Sequence, residues 1–297
     1  MDHGGQPTRR PRRFTDEQTA RQVLDTALAM LAEEGISVGL ERLRFEDVIR
    51  AAGVSRSSAY RRWPSRDAFV ADVLVELAQG TGAPGIGAVI ERRAADAIAS
   101  HAGRATDLAG RRDLFIEMVR LTFKIDLAAT VASAEFRSYL ALRAAVAGVD
   151  SASVRERVAG ALAVSERRTV ARGAAIIARA AELFGLRLVA PLTAPGGFEV
   201  VARGVAAASV GFIVSAQTDP GLLTTTRDVA AYGSARTASW SVPVYVLAGL
   251  VLQHLEPDPD AGVLPAEELL AALAGLVGLG DEAAAAAGAV PGGVSGS

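Results

Sequence analysis

No cysteine occurs in the 297 residues, so neither a disulfide nor a thiolate metal ligand is available to this chain. Histidine is scarce as well. His3, His101 and His254 stand far apart, and without a helical His pair or a Cys/His cluster no metal site is implied. Aromatic residues make up only 5% of a chain that is 50% hydrophobic, so the core must be built mainly from Ala, Val, Leu and Ile. That composition favours helices, because Ala and Leu lead the propensity scale. Long apolar runs are lacking too. "VVARGVAAASVGFIVSA" (200–216) and "SVPVYVLAGLVLQHL" (241–255) fall short of the roughly 20 residues a span requires, and each carries polar residues. The basic N-terminus is not followed by the apolar stretch of a secretion signal. The expectation is a soluble, cytoplasmic protein with no membrane partner.

Lysine is nearly missing: Lys124 stands alone against 30 arginines. A GC-rich genome explains such a bias as readily as phosphate recognition does, so position must decide. The net charge of −2 hides an asymmetry, since residues 1–70 hold 12 arginines against 10 acidic residues and the remainder is acidic.

Residues 1–14 lack an apolar period and contain Arg9, Arg10, Arg12 and Arg13, the composition of a flexible basic arm. Helix one is predicted from "TDEQ", where Thr15 caps and Gln18 returns the bond in a capping box. Ala20, Val23, Leu24, Ala27, Leu28 and Leu31 then form one apolar stripe, and Gly35 supplies a stop. A second helix over about 45–52 turns Val48, Ile49 and Ala52 inward and ends at Gly53. Ser55 caps a third helix of two turns, which Pro64 ends. Ser65 starts a fourth, buried through Phe69, Val70, Val73, Leu74 and Leu77. Domain one therefore spans 15–79, and the glycine-rich "GTGAPGIG" (80–87) reads as a linker. Helical periodicity fills a larger domain over 88–280, near 86–102, 111–133, 135–147, 153–185, 197–216, 239–255 and 265–279. No strand alternation stands out, so the fold class is all-α, with a helical bundle following the small N-terminal domain. The Ala/Gly-rich residues 281–297 read as a disordered tail.

The stretch "AAGVSRSSAYRRWPSRD" (51–67) carries the chemistry. Gly53 permits a tight turn between two short helices, Ala52 lets them approach, and Val54, Ala59 and Trp63 face the core. That leaves Arg56, Ser57, Ser58, Tyr60 and Arg61 on or near the outer surface, with Arg61, a DNA-contact candidate, and Arg62 both unassigned between the two faces. A short helix presenting its first turn and polar side chains, docked by a preceding helix across a tight turn, is a helix-turn-helix arrangement suited to the major groove. Arg56 suits bidentate pairing with guanine, the serines suit bases or phosphates, and Tyr60 suits a phosphate oxygen. Arg66 opens helix four, where free N–H groups already favour an anion.

Together with "VLDTALAMLAEEG", this stretch resembles the N-terminal domain of the TetR family of transcriptional regulators, over about the first quarter of the chain. The resemblance implies a DNA-binding domain, a divergent ligand-binding bundle, and a homodimer. The dimer would bind a palindromic double-stranded operator as a repressor and release it when a small apolar or amphipathic ligand binds. By matching positions, Arg56, Ser57, Ser58, Tyr60 and Arg66 take the DNA-contact roles. A two-fold dimer places its recognition helices about 34 Å apart, one turn of DNA. The chain departs from the family pattern in a longer interval after Gly35 and in Leu43 and Arg44 where a capping Thr or Ser is usual. Arg44 joins the DNA-contact candidates for that reason.

Ligand-lining candidates in the bundle are its large side chains: Phe115, Met118, Phe123, Phe136, Tyr139, Phe184 and Trp240, with Phe212 and Tyr245 beside them. The small, apolar helices near 199–216 and 239–255 suit a subunit interface. An enzyme reading rests only on "GTGAPG" (80–85), which fits a dinucleotide-binding glycine pattern but lacks the preceding strand. No cofactor or catalytic constellation is implied. A ligand-independent accessory DNA-binding protein is the alternative.

Overall fold

The computed structural model describes residues 15–34, 43–80, 107–147, 151–262 and 264–289. The arm arginines, Gly35 with the loop that follows it, and the expected helix near 86–102 lie outside these residues. The chain divides into two units, residues 1–80 with 138–159, and residues 81–137 with 160–297. The sequence placed one boundary near residue 80 and assigned everything beyond it to the bundle. Residues 138–159 group instead with the N-terminal unit, and an ion pair between Arg157 and Asp72 ties them to it.

The first unit begins with helix α1 (Asp16–Glu34). Its capping box is formed as the sequence indicates: the Gln18 N–H donates to Thr15 Oγ1 at 3.2 Å, and the Thr15 N–H donates to Gln18 Oε1 at 3.1 Å. Val23, Ala27 and Leu31, spaced by four, bury one stripe against helices α2 (Phe45–Ala52), α3 (Arg56–Arg62) and α4 (Arg66–Gly80). The rest of this core is Leu43, Phe45, Val48, Ile49, Ala52, Ala59, Trp63, Phe69 and Val73, all buried. Phe45 is its hub, stacked on the Phe69 ring at 4.5 Å and meeting the Trp63 ring edge-on at 5.9 Å.

In the second unit, α5 (Leu108–Ala132) starts at Asp107, whose carboxylate accepts the Gly110 N–H at 2.7 Å. Helices α6 (Ala134–Ala147) and α7 (Ala152–Leu183) each contribute to both units by residue number. Next come strand β1 (Leu186–Leu188), α8 (Gly197–Ala216), the single turn α9 (Gly221–Thr224), strands β2 (Thr226–Ala230) and β3 (Thr237–Ser241), and α10 (Val242–Leu252). Strand β4 (Leu255–Pro257), α11 (Ala266–Ala274) and α12 (Leu276–Ala289) complete it. Helix α10 packs on both α5 and α8, and its Leu247 and Ala248 are wholly buried. Gly197 must be glycine, because a Cβ there would lie 1.9 Å from the Leu192 carbonyl oxygen.

Two expectations need correction here. The run near 239–255 is not all helix: β3 and β4 flank α10, and β2 and β3 form an antiparallel hairpin. Every residue of β2 is exposed, so it carries no alternation for the sequence to reveal. The disordered tail is helical as far as Ala289, because its alanine run has the highest helix propensity and Arg172 pairs with Asp281. Helix α8 is 20 residues long and, like residues 267–289, passes for a span by length and composition. It carries Glu199 and Arg203 and packs on α10 and α5, which is the setting of a bundle helix. The all-α class stands, with small two-stranded ladders added.

Candidate nucleic-acid interface

Helix α2 opens at Arg44, whose backbone is extended and whose side chain makes no capping bond. Glu46 and Asp47 in its first turn compensate, since carboxylates favour the positive end of a helix. The helix closes on Gly53 at φ 66°, a left-handed conformation that glycine adopts without strain, and the Val54 N–H reaches back to the Ile49 carbonyl. Two residues later Ser55 Oγ accepts the Ser58 N–H at 3.1 Å and starts α3. Ala59 and Trp63, one turn apart and both buried, lock one side of α3 into the core.

The opposite side faces solvent. The Arg56 side chain is 73% exposed, that of Arg61 60%, and Tyr60 43%. Arg44, Ser57 and Arg66 are exposed as well, and Ser65 caps α4 beside Arg66 by accepting the Ala68 N–H at 3.1 Å. Ser58 is half-buried, and its hydroxyl accepts from Ser55 Oγ at 2.8 Å, so it belongs to the cap more than to the outer face. Arg61 pairs with Asp16 at the start of α1. Arg62, which the sequence left between the faces, is scaffold: it pairs with Asp72 at 3.0 Å and lies over the Trp63 ring at 5.5 Å.

Glu46 and Asp72 are the residues that sequence reasoning missed. The Tyr60 hydroxyl donates to Glu46 Oε1 at 2.7 Å, while Arg56 Nη2 lies 2.8 Å from Glu46 Oε2. That hydrogen bond raises the Tyr60 phenol above its ordinary range and keeps it protonated as a donor. The Tyr60 ring also meets Phe45 edge-on at 5.2 Å. Two helices thus present a polar, arginine-bearing ridge about two turns long, with its geometry fixed from beneath by an aromatic core.

The family model described as bacterial regulatory proteins, tetR family, matches residues 23–73, which span α2, α3 and most of α1 and α4. The N-terminal unit carries a TetR-family helix-turn-helix domain. Such a domain is the DNA-binding part of transcriptional regulators, which are in general not enzymes. No curated protein and no solved structure matches the chain.

Outside the TetR-family domain, the ligand-lining candidates fall in two places. Phe115, Met118, Phe123, Phe184 and Trp240 are buried in one hydrophobic core of the second unit, with Phe136 packed against it. Phe115 and Phe184 lie 5.1 Å apart, filling space with each other. Tyr139 belongs to the first unit, where its hydroxyl accepts from Arg143. Around Trp240 the second unit gathers Tyr232, Tyr245 and a buried Arg120, which pairs with Glu117 at 2.6 Å and donates to the Ser239 carbonyl at 3.0 Å. Asp126 on α5 sits where burial pushes its carboxyl up to about 6.

Proposed function

We propose that the chain is a cytoplasmic transcriptional repressor that binds a palindromic operator as a homodimer and leaves it when a small apolar or amphipathic ligand binds. The observation that carries this reading is α3: seven residues, one side locked by Ala59 and Trp63, the other presenting Arg56, Ser57, Tyr60 and Arg61. In this reading Arg56 meets a base edge, and Arg44, Tyr60, Arg61 and Arg66 meet phosphates, the contacts that set register without reading sequence. Ser57 reaches a base or phosphate, and Ser58 contributes through the helix start it shapes.

Support for the dimer comes from α8 and α10, which keep Val200, Val214, Val242, Tyr245 and Val246 exposed. A second copy covering these side chains would remove apolar surface from water. The ligand reading rests on the family and on the size of the second unit's apolar core. The close mutual packing of Phe115 and Phe184 favours the alternative, an accessory DNA-binding protein without a ligand.

In vitro selection from random duplexes tests the main reading. A palindromic consensus is expected, and enrichment of no sequence overturns it. Sedimentation of the purified chain is expected to give a dimer. A panel of apolar and amphipathic compounds that never weakens operator binding favours the accessory role.

A further inference from the structure

Resting on the DNA-binding reading, we propose that Glu46 is a specificity-determining positioning residue, an internal stand-in for phosphate that holds Arg56 and Tyr60 back from DNA of the wrong sequence. One carboxylate engages both side chains, taking the Tyr60 hydroxyl on Oε1 and the Arg56 guanidinium on Oε2. Arg56 and Tyr60 are four residues apart, so they stand one above the other on α3, and Glu46 reaches both from the neighbouring helix. Its place is dictated by the fold. Phe45, the preceding residue, is anchored in the core by Phe69 and Trp63 and touches Tyr60 itself.

The chemistry makes the effect selective. A tyrosine has one hydroxyl proton, and while it is donated to Glu46 it is unavailable to a phosphate oxygen. Arg56 is different, since a guanidinium has five N–H groups in a fork and one carboxylate oxygen leaves others for a guanine edge. Its charge, however, is neutralised as far as a phosphate is concerned. Non-specific binding rests on contacts to phosphate and loses the Arg56 charge and the Tyr60 hydrogen bond, whereas base readout retains its hydrogen bonds. Specificity is a difference of affinities, and Glu46 acts by weakening the competitor.

Asp47 is the internal control. It carries the same charge in the same helical turn but pairs with Arg50 at 3.1 Å. The full chain and its Glu46→Gln, Asp47→Asn, Arg56→Ala and Glu46→Gln/Arg56→Ala variants are titrated by fluorescence anisotropy. The probes are a mixed-sequence duplex and the duplex enriched by selection, between about 50 and about 200 mM salt. Glu46→Gln, nearly isosteric at a half-buried position, should tighten mixed-sequence binding about three- to tenfold and steepen its log–log salt slope by about 0.9, one further phosphate contact. The selected duplex should change less, so the ratio of the two affinities falls. Asp47→Asn should leave that ratio unchanged, and Arg56→Ala should abolish most of the Glu46→Gln effect. Equal effects of Glu46→Gln on both duplexes, an equal effect of Asp47→Asn, or persistence without Arg56 each overturn the proposal. A wild-type chain that binds neither duplex removes the DNA-binding reading itself, whereas wild-type binding with an unchanged Glu46→Gln ratio removes only the role of Glu46.

Discussion

Asp72 gives the sharpest test of what holds the DNA-binding unit together. Its side chain is only 11% exposed and serves three donors: the Trp63 indole N–H at 2.9 Å, Arg62 at 3.0 Å and Arg157 at 2.5 Å. The two arginines are about half exposed, so each ion pair contributes about 0.2–1 kcal/mol. Trp63 is 1% exposed, and an indole N–H left without an acceptor there costs about 1–3 kcal/mol. Asp72→Asn keeps an acceptor for Trp63 and loses only the ion pairs, whereas Asp72→Ala loses everything. The two variants should therefore differ by about 1–3 kcal/mol, with Asp72→Ala the less stable. The chain has two tryptophans, one in each unit, so Trp240→Phe leaves Trp63 as the reporter of this unit during urea unfolding. Trp240 suits replacement because its buried N–H makes no hydrogen bond. High salt should shrink the gap between wild type and Asp72→Asn and spare the gap between the variants. Equal stability of the two variants, within about 0.5 kcal/mol, would refute the assignment of that energy to the indole bond.

Ser55→Ala should cost about 1 kcal/mol in the same unfolding assay, because the Ser58 N–H loses its partner, and an unchanged midpoint speaks against the cap. Arg56→Ala should relax preference at one base position by roughly 1–3 kcal/mol. Tyr60→Phe should weaken the selected duplex and change a mixed-sequence duplex less, because Glu46 holds the hydroxyl there, and no change in DNA binding for either variant sinks both contacts. Asp126 holds its proton more tightly folded than unfolded, so its contribution is fullest below about pH 4 and is lost as pH rises towards 6. Asp126→Asn should therefore exceed wild type in stability at pH 7 by roughly 1–3 kcal/mol and match it near pH 4, measured by melting at both values; the same difference at both removes the titration.

Local signals made the helix-turn-helix legible. The Thr15–Gln18 box, Gly53, Ser55, Pro64 and Ser65 act within a few residues of themselves, and each sets an observed helix end. What joins distant segments was not legible. The Tyr60–Glu46 bond spans 14 residues and the Asp72–Arg157 pair 85, and no spacing rule announces either. Phe45 escaped notice because a single aromatic opening a short helix looks the same in sequence whether it is a hub or a rim. In the second unit, large side chains marked where bulk is needed, and only packing distinguishes those that fill a core from those that line a pocket. The hairpin stayed hidden because β2 buries no face, and its anchors are elsewhere: Arg112 donates to the Tyr232 carbonyl, and Asp113 accepts the Ala235 N–H.

The brevity of α3 has a consequence for how such a protein changes partners over evolutionary time. Seven residues are too few to form a stable helix in water, so α3 takes its position chiefly from Ser55, Ala59 and Trp63, with Tyr60 braced against Phe45 and the outward arginines adding only surface ion pairs. Drift at positions 56, 57 and 61 then costs folding little, and under the proposed reading it would change which bases and phosphates are met. Under that reading recognition and stability are stored in interleaved letters of one short word, so that a new operator could be learned with little risk to the fold.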